Sequence, residues 1–148
     1  MVQWVAAGVV LPTWAATAQA QMALSAAINV SGSFRALSQR MAKAYCQQHL
    51  QVMPLAALDV LAKVRKQAQA GAADLAKGST AGAWPADLSR QLEEVQKQYT
   101  VLNTLTATAP SKASAAAVAE QADRMMTAAQ TATESLEKLA RARSAKLV

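Results

Sequence analysis

The segment INVSGSFRALSQRMAKAYC, residues 28–46, decides the fold that we expect, because it carries two separate stripes of residues along one helix. Successive residues of an α-helix lie about 100° apart, so side chains three or four positions apart share a face. The first stripe consists of Val30, Phe34, Leu37, Met41 and Ala44/Tyr45. It is apolar and suffices to bury the helix against the other helices of a bundle.

The second stripe lies on the far side of the same helix and also alternates steps of four and three. It consists of Ile28, Gly32, Arg35, Gln39, Ala42, Cys46 and His49. We expect a helix in an isolated bundle to need only the first stripe, so the second predicts a dimer seam with the same helix of another subunit. The alternative is that these are surface residues of an Ala-rich helix.

We place the first helical segment at about residues 23–52, where Pro54 stops it. Three further amphipathic segments follow. The second spans about residues 55–77, the glycine- and proline-containing stretch 78–87 forms a loop, and the third carries apolar residues from Leu88 to Leu105. Ser111 is the expected N-cap of the fourth. Short connections between long amphipathic segments predict an all-α fold, an antiparallel up-down-up-down four-helix bundle.

Composition sets limits on function. The 148 residues suit one domain, aromatic residues make up only 4%, and the single cysteine permits no intramolecular disulfide. A formal net charge of +6 allows nucleic acid, an anionic membrane surface or a small anion as partner.

The N-terminal segment, residues 1–20, predicts a secretory signal peptide. It has no charged residue, an apolar run from Val5 to Leu11, and an Ala18-Gln19-Ala20 ending of the small-x-small type. We therefore expect a mature domain of residues 21–148 in the periplasm or secreted, where nucleic acid is not a partner. The alternative is a chain anchored to the inner membrane by residues 1–20.

No catalytic constellation stands out in the sequence. The one histidine, His49, has no local nucleophile or carboxylate partner, and the chain has no Gly-rich phosphate loop and no metal-ligand spacing. We predict no enzyme activity, no catalytic residue, no metal and no cofactor.

Charge singles out Arg35. Arg35, Arg40 and Lys43 are the only charged residues between Gln21 and Leu58. Cations without local counter-ions favour a bound anion. Arg35 lies in the second stripe one turn after Gly32, which would let a ligand approach closely, whereas Arg40 points about 140° away. In a two-fold dimer, two copies of Arg35 would repel each other unless an anion lay between them.

The same stretch resembles the first helix of the PilJ-type sensor domain, the N-terminal region of type IV pili methyl-accepting chemotaxis transducers, which is also found in nitrate/nitrite sensor kinases. That pattern reads approximately I-N-x-[AS]-G-x-x-R-x-x-S-x-R. The chain matches it at Ile28, Asn29, Ser31, Gly32, Arg35, Ser38 and Arg40. The resemblance implies a periplasmic four-helix bundle, often dimeric, whose glycine and first arginine bind an anion at the dimer interface.

We therefore expect a stand-alone sensory domain in signal transduction or chemosensing that binds a small anion, nitrate- or nitrite-like, at a helix-1 homodimer interface. The expected ligand-binding residues are Gly32, Arg35 and Gln39, and Ile28, Asn29, Ser31, Ser38 and Arg40 support the motif. A membrane-bound signalling partner would receive the signal. The alternative is a periplasmic protein–protein interaction module with no small ligand, in which the arginines meet acidic residues of a partner protein.

Overall fold

The computed structural model of the protein describes residues 13–80 and 84–148, and the side chains of residues 24–78 and 84–148. Four α-helices make up almost all of this part of the chain. They are α1 (Thr13–His49), α2 (Pro54–Thr80), α3 (Ala86–Thr106) and α4 (Lys112–Ala145). Short turns join α1 to α2 and α3 to α4, and the predicted all-α four-helix bundle is confirmed.

The helices do not contact one another equally. α1 packs extensively against both α4 and α2, and α3 packs mainly against α4, while the α2–α3 and α1–α3 contacts are fewer. α1 therefore has two neighbours within its own chain and must present a packing face to each.

The core follows the predicted apolar stripes. Phe34, Met41 and Tyr45 of α1 are almost completely buried, and each other helix contributes residues spaced three and four apart. The Phe34 and Tyr99 rings meet at the centre with centroids 6.0 Å apart and planes inclined by 53°. Small alanines fill much of α4's inner face, which lets α1 approach it closely.

The α1–α2 connection differs from the prediction at two points. α1 ends at His49 rather than near residue 52, and Pro54 is the first residue of α2 rather than only a stop for α1. The first turn of a helix has unpaired amide groups, so proline loses nothing there. The last turn of α1 closes when the Val52 amide donates to the Gln47 carbonyl at 2.9 Å, with Gln51 left-handed at φ 57°.

The other two connections, α2–α3 and α3–α4, are close to the predicted positions. α2 continues to Thr80, three residues beyond the predicted end, and α3 begins at Ala86 directly after Pro85. The predicted N-cap of α4 is confirmed: Ser111 and Ser114 exchange side-chain and backbone hydrogen bonds in a capping box. The buried Tyr45 hydroxyl lies 2.9 Å from the Thr108 carbonyl oxygen and fixes the α3–α4 turn to α1.

At the other end of the chain, α1 is already helical at Thr13, about ten residues before its predicted start. The predicted signal peptide, residues 1–20, lies mostly outside the described residues and stays a prediction. None of the helices in the described part of the chain is long and apolar enough to cross a membrane.

Candidate functional site

Arg35 lies in the groove between α1 and α4, with an exposed side chain. Its Nε donates to the Gly32 carbonyl at 3.2 Å, and its Nη1 donates to Oε1 of Gln130 on α4 at 2.6 Å. Within the described residues Arg35 makes no ion pair, so its only side-chain acceptor is the neutral carbonyl of a glutamine. A guanidinium has five N–H donors, and these two bonds leave three of them for a further acceptor.

The absence of a side chain at Gly32 leaves room for Arg35 in this position. A Cβ at position 32 would come 3.3 Å from Arg35 Nη2 and 3.8 Å from Thr133 Cγ2. The guanidinium therefore passes close to Gly32 as it reaches α4, in space that a side chain at position 32 would compete for. Gly32 and Arg35 thus lie side by side, and their role in ligand binding stays a prediction.

Gln39, the third residue predicted to bind a ligand, is also turned towards α4. Its Nε2 donates to Asp123 Oδ1 at 3.0 Å and lies 3.6 Å from the Met126 sulfur. Gln39 and Arg35 thus lie one turn apart along the same α1–α4 groove. Arg35 contacts the side-chain amide of Gln130, and Gln39 contacts the carboxylate of Asp123.

The second stripe of α1 has a partner within its own chain, and the expectation that an isolated bundle would leave it uncovered is wrong. Gly32 lies beside Thr133, and Cys46 Sγ is 3.9 Å from the Ala115 carbonyl oxygen. Ala42 is buried, whereas Ile28 and His49 are half-buried. A helix with two neighbours needs two packing faces, and α4 occupies the second. Arg35 and Gln39 form the exposed rim of this contact.

A buried polar pair lies directly beneath that rim. Ser31 and Thr133 are almost inaccessible to solvent, and their hydroxyl oxygens are 3.0 Å apart. Thr133 also donates to the Ala129 carbonyl at 2.7 Å. Ser38, likewise buried, donates to the Arg35 carbonyl at 2.9 Å. The two serines of the motif are therefore packing residues.

The remaining motif residues lie away from the groove. Ile28 packs partly against the core, and Asn29 is exposed. Arg40 faces α2, where it shares a shallow groove with Lys43, Gln47 and Val60. Arg35 and Arg40 therefore lie on different faces of α1, one towards α4 and the other towards α2.

The charge around Arg35 is less one-sided than the sequence of α1 indicates. α4 places Asp123 against Gln39, and Glu134 accepts a hydrogen bond from Gln130. Each carboxylate is thus separated from the arginine by a glutamine. The sequence of α1 around Arg35 contains no acidic residue, but the fold brings Asp123 and Glu134 of α4 next to the glutamines that line the groove.

A protein-family model, the type IV pili methyl-accepting chemotaxis transducer N-terminal domain, or PilJ, matches residues 16–138. The chain belongs to the PilJ family. No curated protein and no solved structure matches it. The match extends far beyond the stretch that carried the resemblance and includes all four helices. It assigns the chain to a family of chemotaxis-transducer sensory domains, which is a non-catalytic family.

Within this PilJ domain, the α4 side of the groove is the part that sequence reasoning missed. Asp123, Gln130 and Thr133 follow one another at steps of seven and three along the edge of the α4 core stripe, a spacing that keeps them on one helix flank. The sequence shows this spacing on α4, but it does not indicate which helix packs against that flank. In the described part of the domain, no cluster of three or more His, Cys, Asp or Glu side chains could hold a metal ion.

Proposed function

We propose that this PilJ domain is an exported chemosensory domain that binds a small anion at Arg35, with Gly32 and Gln39 beside it. The observation that carries the proposal is the state of the guanidinium: it is exposed and bonded only to a carbonyl of its own helix and to the neutral Gln130. A charged acceptor forms stronger hydrogen bonds to guanidinium than a neutral amide does. An anion can therefore replace Gln130 at Nη1.

The shape of the site favours a small planar oxyanion such as nitrate or nitrite. The guanidinium is a planar fork that bonds two oxygens at once through its N–H edge, and Gly32 has no side chain to crowd its Nη2. Asp123 and Glu134 disfavour ligands with several negative charges, because each added charge would increase repulsion across the groove. A singly charged anion has the best balance of attraction and repulsion here.

We further propose that the anion joins two copies of the chain. The exposed rim formed by Arg35 and Gln39, with the partly exposed Met126 of α4, would meet the same rim of a second copy. Two guanidinium groups that face each other across a two-fold axis repel unless an anion bridges them. The dimer is then expected to depend on the anion, and α1 and α4 are the helices through which a membrane-bound signalling partner would sense it.

Isothermal titration calorimetry tests the anion site. Nitrate, nitrite and chloride are titrated into the wild-type protein, Arg35→Ala and Arg40→Ala. Arg40→Ala is the matched control, because it removes the same charge from the same helix on the face towards α2. We expect binding by the wild type and the control and none by Arg35→Ala. No heat with any of these anions, or equal loss in both variants, would refute the site.

Sedimentation velocity with and without the bound anion tests the dimer separately. We expect the sedimentation coefficient to rise when the anion is added to the wild type and to stay constant for Arg35→Ala. A monomer that binds the anion without associating would leave the ligand site intact and remove the dimer from the proposal.

A further inference from the structure

The end of the bundle formed by the α1–α2 turn exposes a concentrated group of apolar side chains. Leu55 is 82% exposed, Met53 71% and Leu50 66%, although all three are large hydrophobic residues. With Val52 and Leu58 they form what we call the tip patch, Leu50, Val52, Met53, Leu55 and Leu58. Single exposed apolar residues are ordinary, but five within nine consecutive positions are typical of an interaction surface.

The turn that carries the tip patch is fixed rather than frayed. The Leu50 amide donates to the Cys46 carbonyl at 2.9 Å, and the Ala57 amide donates to the Met53 carbonyl at 2.9 Å. Gln51 and Met53 have φ of 57° and 45°, and they are the only non-glycine residues with positive φ in the described part of the chain. Such backbone conformations are unfavourable for residues with a side chain and persist only where the surrounding contacts impose them, so the hydrogen bonds of the turn hold the patch in one shape.

The patch is partly concave. A cleft of about 280 Å³ lies between the end of α1, the start of α2 and the α3–α4 turn. His49, Pro54, Leu55, Leu58 and Pro110 line it. A cleft of this kind accepts an inserted side chain, which a folded protein segment supplies better than a flat lipid surface does.

Most of the charged residues that lie near the tip patch in the sequence are positive. Residues 40–58 and 100–119 contain Arg40, Lys43 and Lys112 and no Asp or Glu. Arg40 and Lys43 lie with Gln47 and Val60 in the shallow groove between α1 and α2, and Lys112 begins α4 two residues after Pro110, which lines the cleft. The exception is Asp59, which directly follows Leu58 of the patch and is paired with Lys63 at 2.7 Å. A second copy of this chain would bring like charges together, so the patch is unsuited to self-association.

We propose that the tip patch docks a partner protein through a segment in which apolar side chains are flanked by carboxylates. The apolar side chains would fill the cleft and cover Leu55, and the carboxylates would meet Lys43 and Lys112. This surface is separate from the Arg35 groove, so it stands whether or not an anion binds there.

Two synthetic amphipathic helical peptides with identical leucine positions test the proposal, one with glutamate and one with lysine at its charged positions. Their binding to the full chain is measured by fluorescence anisotropy. We expect the glutamate peptide to bind about tenfold or more tightly than the lysine peptide, with the difference shrinking at high salt. Lys43→Glu/Lys112→Glu should reverse the preference.

The apolar contribution is tested in Leu55→Ser/Leu58→Ser, with Val101→Ser as the control. Val101 is a 41% exposed apolar residue of α3 outside the patch. The double variant should weaken glutamate-peptide binding by about tenfold or more, and the control should leave it unchanged. Circular dichroism checks that both are folded.

Three results would overturn the proposal: no binding of either peptide, equal binding of both, or binding that survives in the leucine variant. Vesicles of anionic phospholipid are tested in parallel. If they bind with the same dependence on Leu55 and Leu58 while the glutamate peptide does not, the surface binds lipid and the docking proposal is wrong.

Discussion

Thr133→Val gives the sharpest test of the α1–α4 contact beneath Arg35. Valine has nearly the shape of threonine, so the substitution removes the hydroxyl and leaves the packing at Gly32 almost unchanged. Ser31 is fully buried and would then keep only the Ala129 carbonyl oxygen, at 3.4 Å, as an acceptor. A buried polar group without a good partner destabilises a protein by about 1–3 kcal/mol. We expect a loss of about 2 kcal/mol, which corresponds to a fall in Tm of about 4–8 °C.

Substitution of the partner residue, Ser31, should have a smaller effect on stability. In Ser31→Ala, Thr133 still donates to the Ala129 carbonyl at 2.7 Å, so no polar group loses its partner. We expect a loss of about 1 kcal/mol or less. In the double variant both hydroxyls are gone, so the loss should fall below the sum of the two single losses by about 1 kcal/mol.

Urea unfolding followed by circular dichroism measures all three variants, with Thr131→Val as the control. Thr131 lies on the same helix and donates to a backbone carbonyl in the same way, Thr127 at 3.1 Å, but it is exposed. It should change stability by no more than about 0.5 kcal/mol. Equal effects of Thr133→Val and Thr131→Val, or strictly additive single losses, would refute the reasoning that Ser31 depends on Thr133.

The described geometry supports three further predictions, and the sequence of the N-terminal segment supports a fourth. Gly32→Ala should raise thermal stability by about 0.5–1 kcal/mol, because alanine favours helix, yet weaken anion binding in calorimetry because its Cβ crowds Arg35 Nη2. Burial, partly offset by the charge of Arg65, raises the pKa of Tyr99 above 10.0, so stability in urea should fall as pH rises past 10 and fall less steeply in Tyr99→Phe. Tyr45→Phe should lower stability by about 1–2 kcal/mol in thermal unfolding, because its hydroxyl holds the α3–α4 turn at the Thr108 carbonyl. If residues 1–20 are cleaved as the sequence predicts, N-terminal sequencing of the protein purified from its native host should begin near Gln21, and an intact Met1 would contradict cleavage.

Much of the helical architecture was predictable from the sequence because it depends on local spacing. Apolar residues three and four apart identified the inner faces of all four helices, and Ser111 marked the start of α4. The end of α1 was less predictable, because proline is compatible with both the end of one helix and the first turn of the next. The left-handed conformation of Gln51, a residue with a side chain, has no local signature that distinguishes it from helix.

The sequence alone determined the fold class, the inner faces of the helices and the family, and it singled out Gly32 and Arg35 as candidate site residues, since these depend on residues close together in the chain. Tertiary structure alone decided what the second stripe of α1 contacts. It placed Gln130, Asp123 and Thr133, some ninety residues away, against Arg35, Gln39 and Ser31. The choice of neighbour depends on how four amphipathic faces close around one core, and a helix's own periodicity specifies which face is apolar but not which helix will cover it.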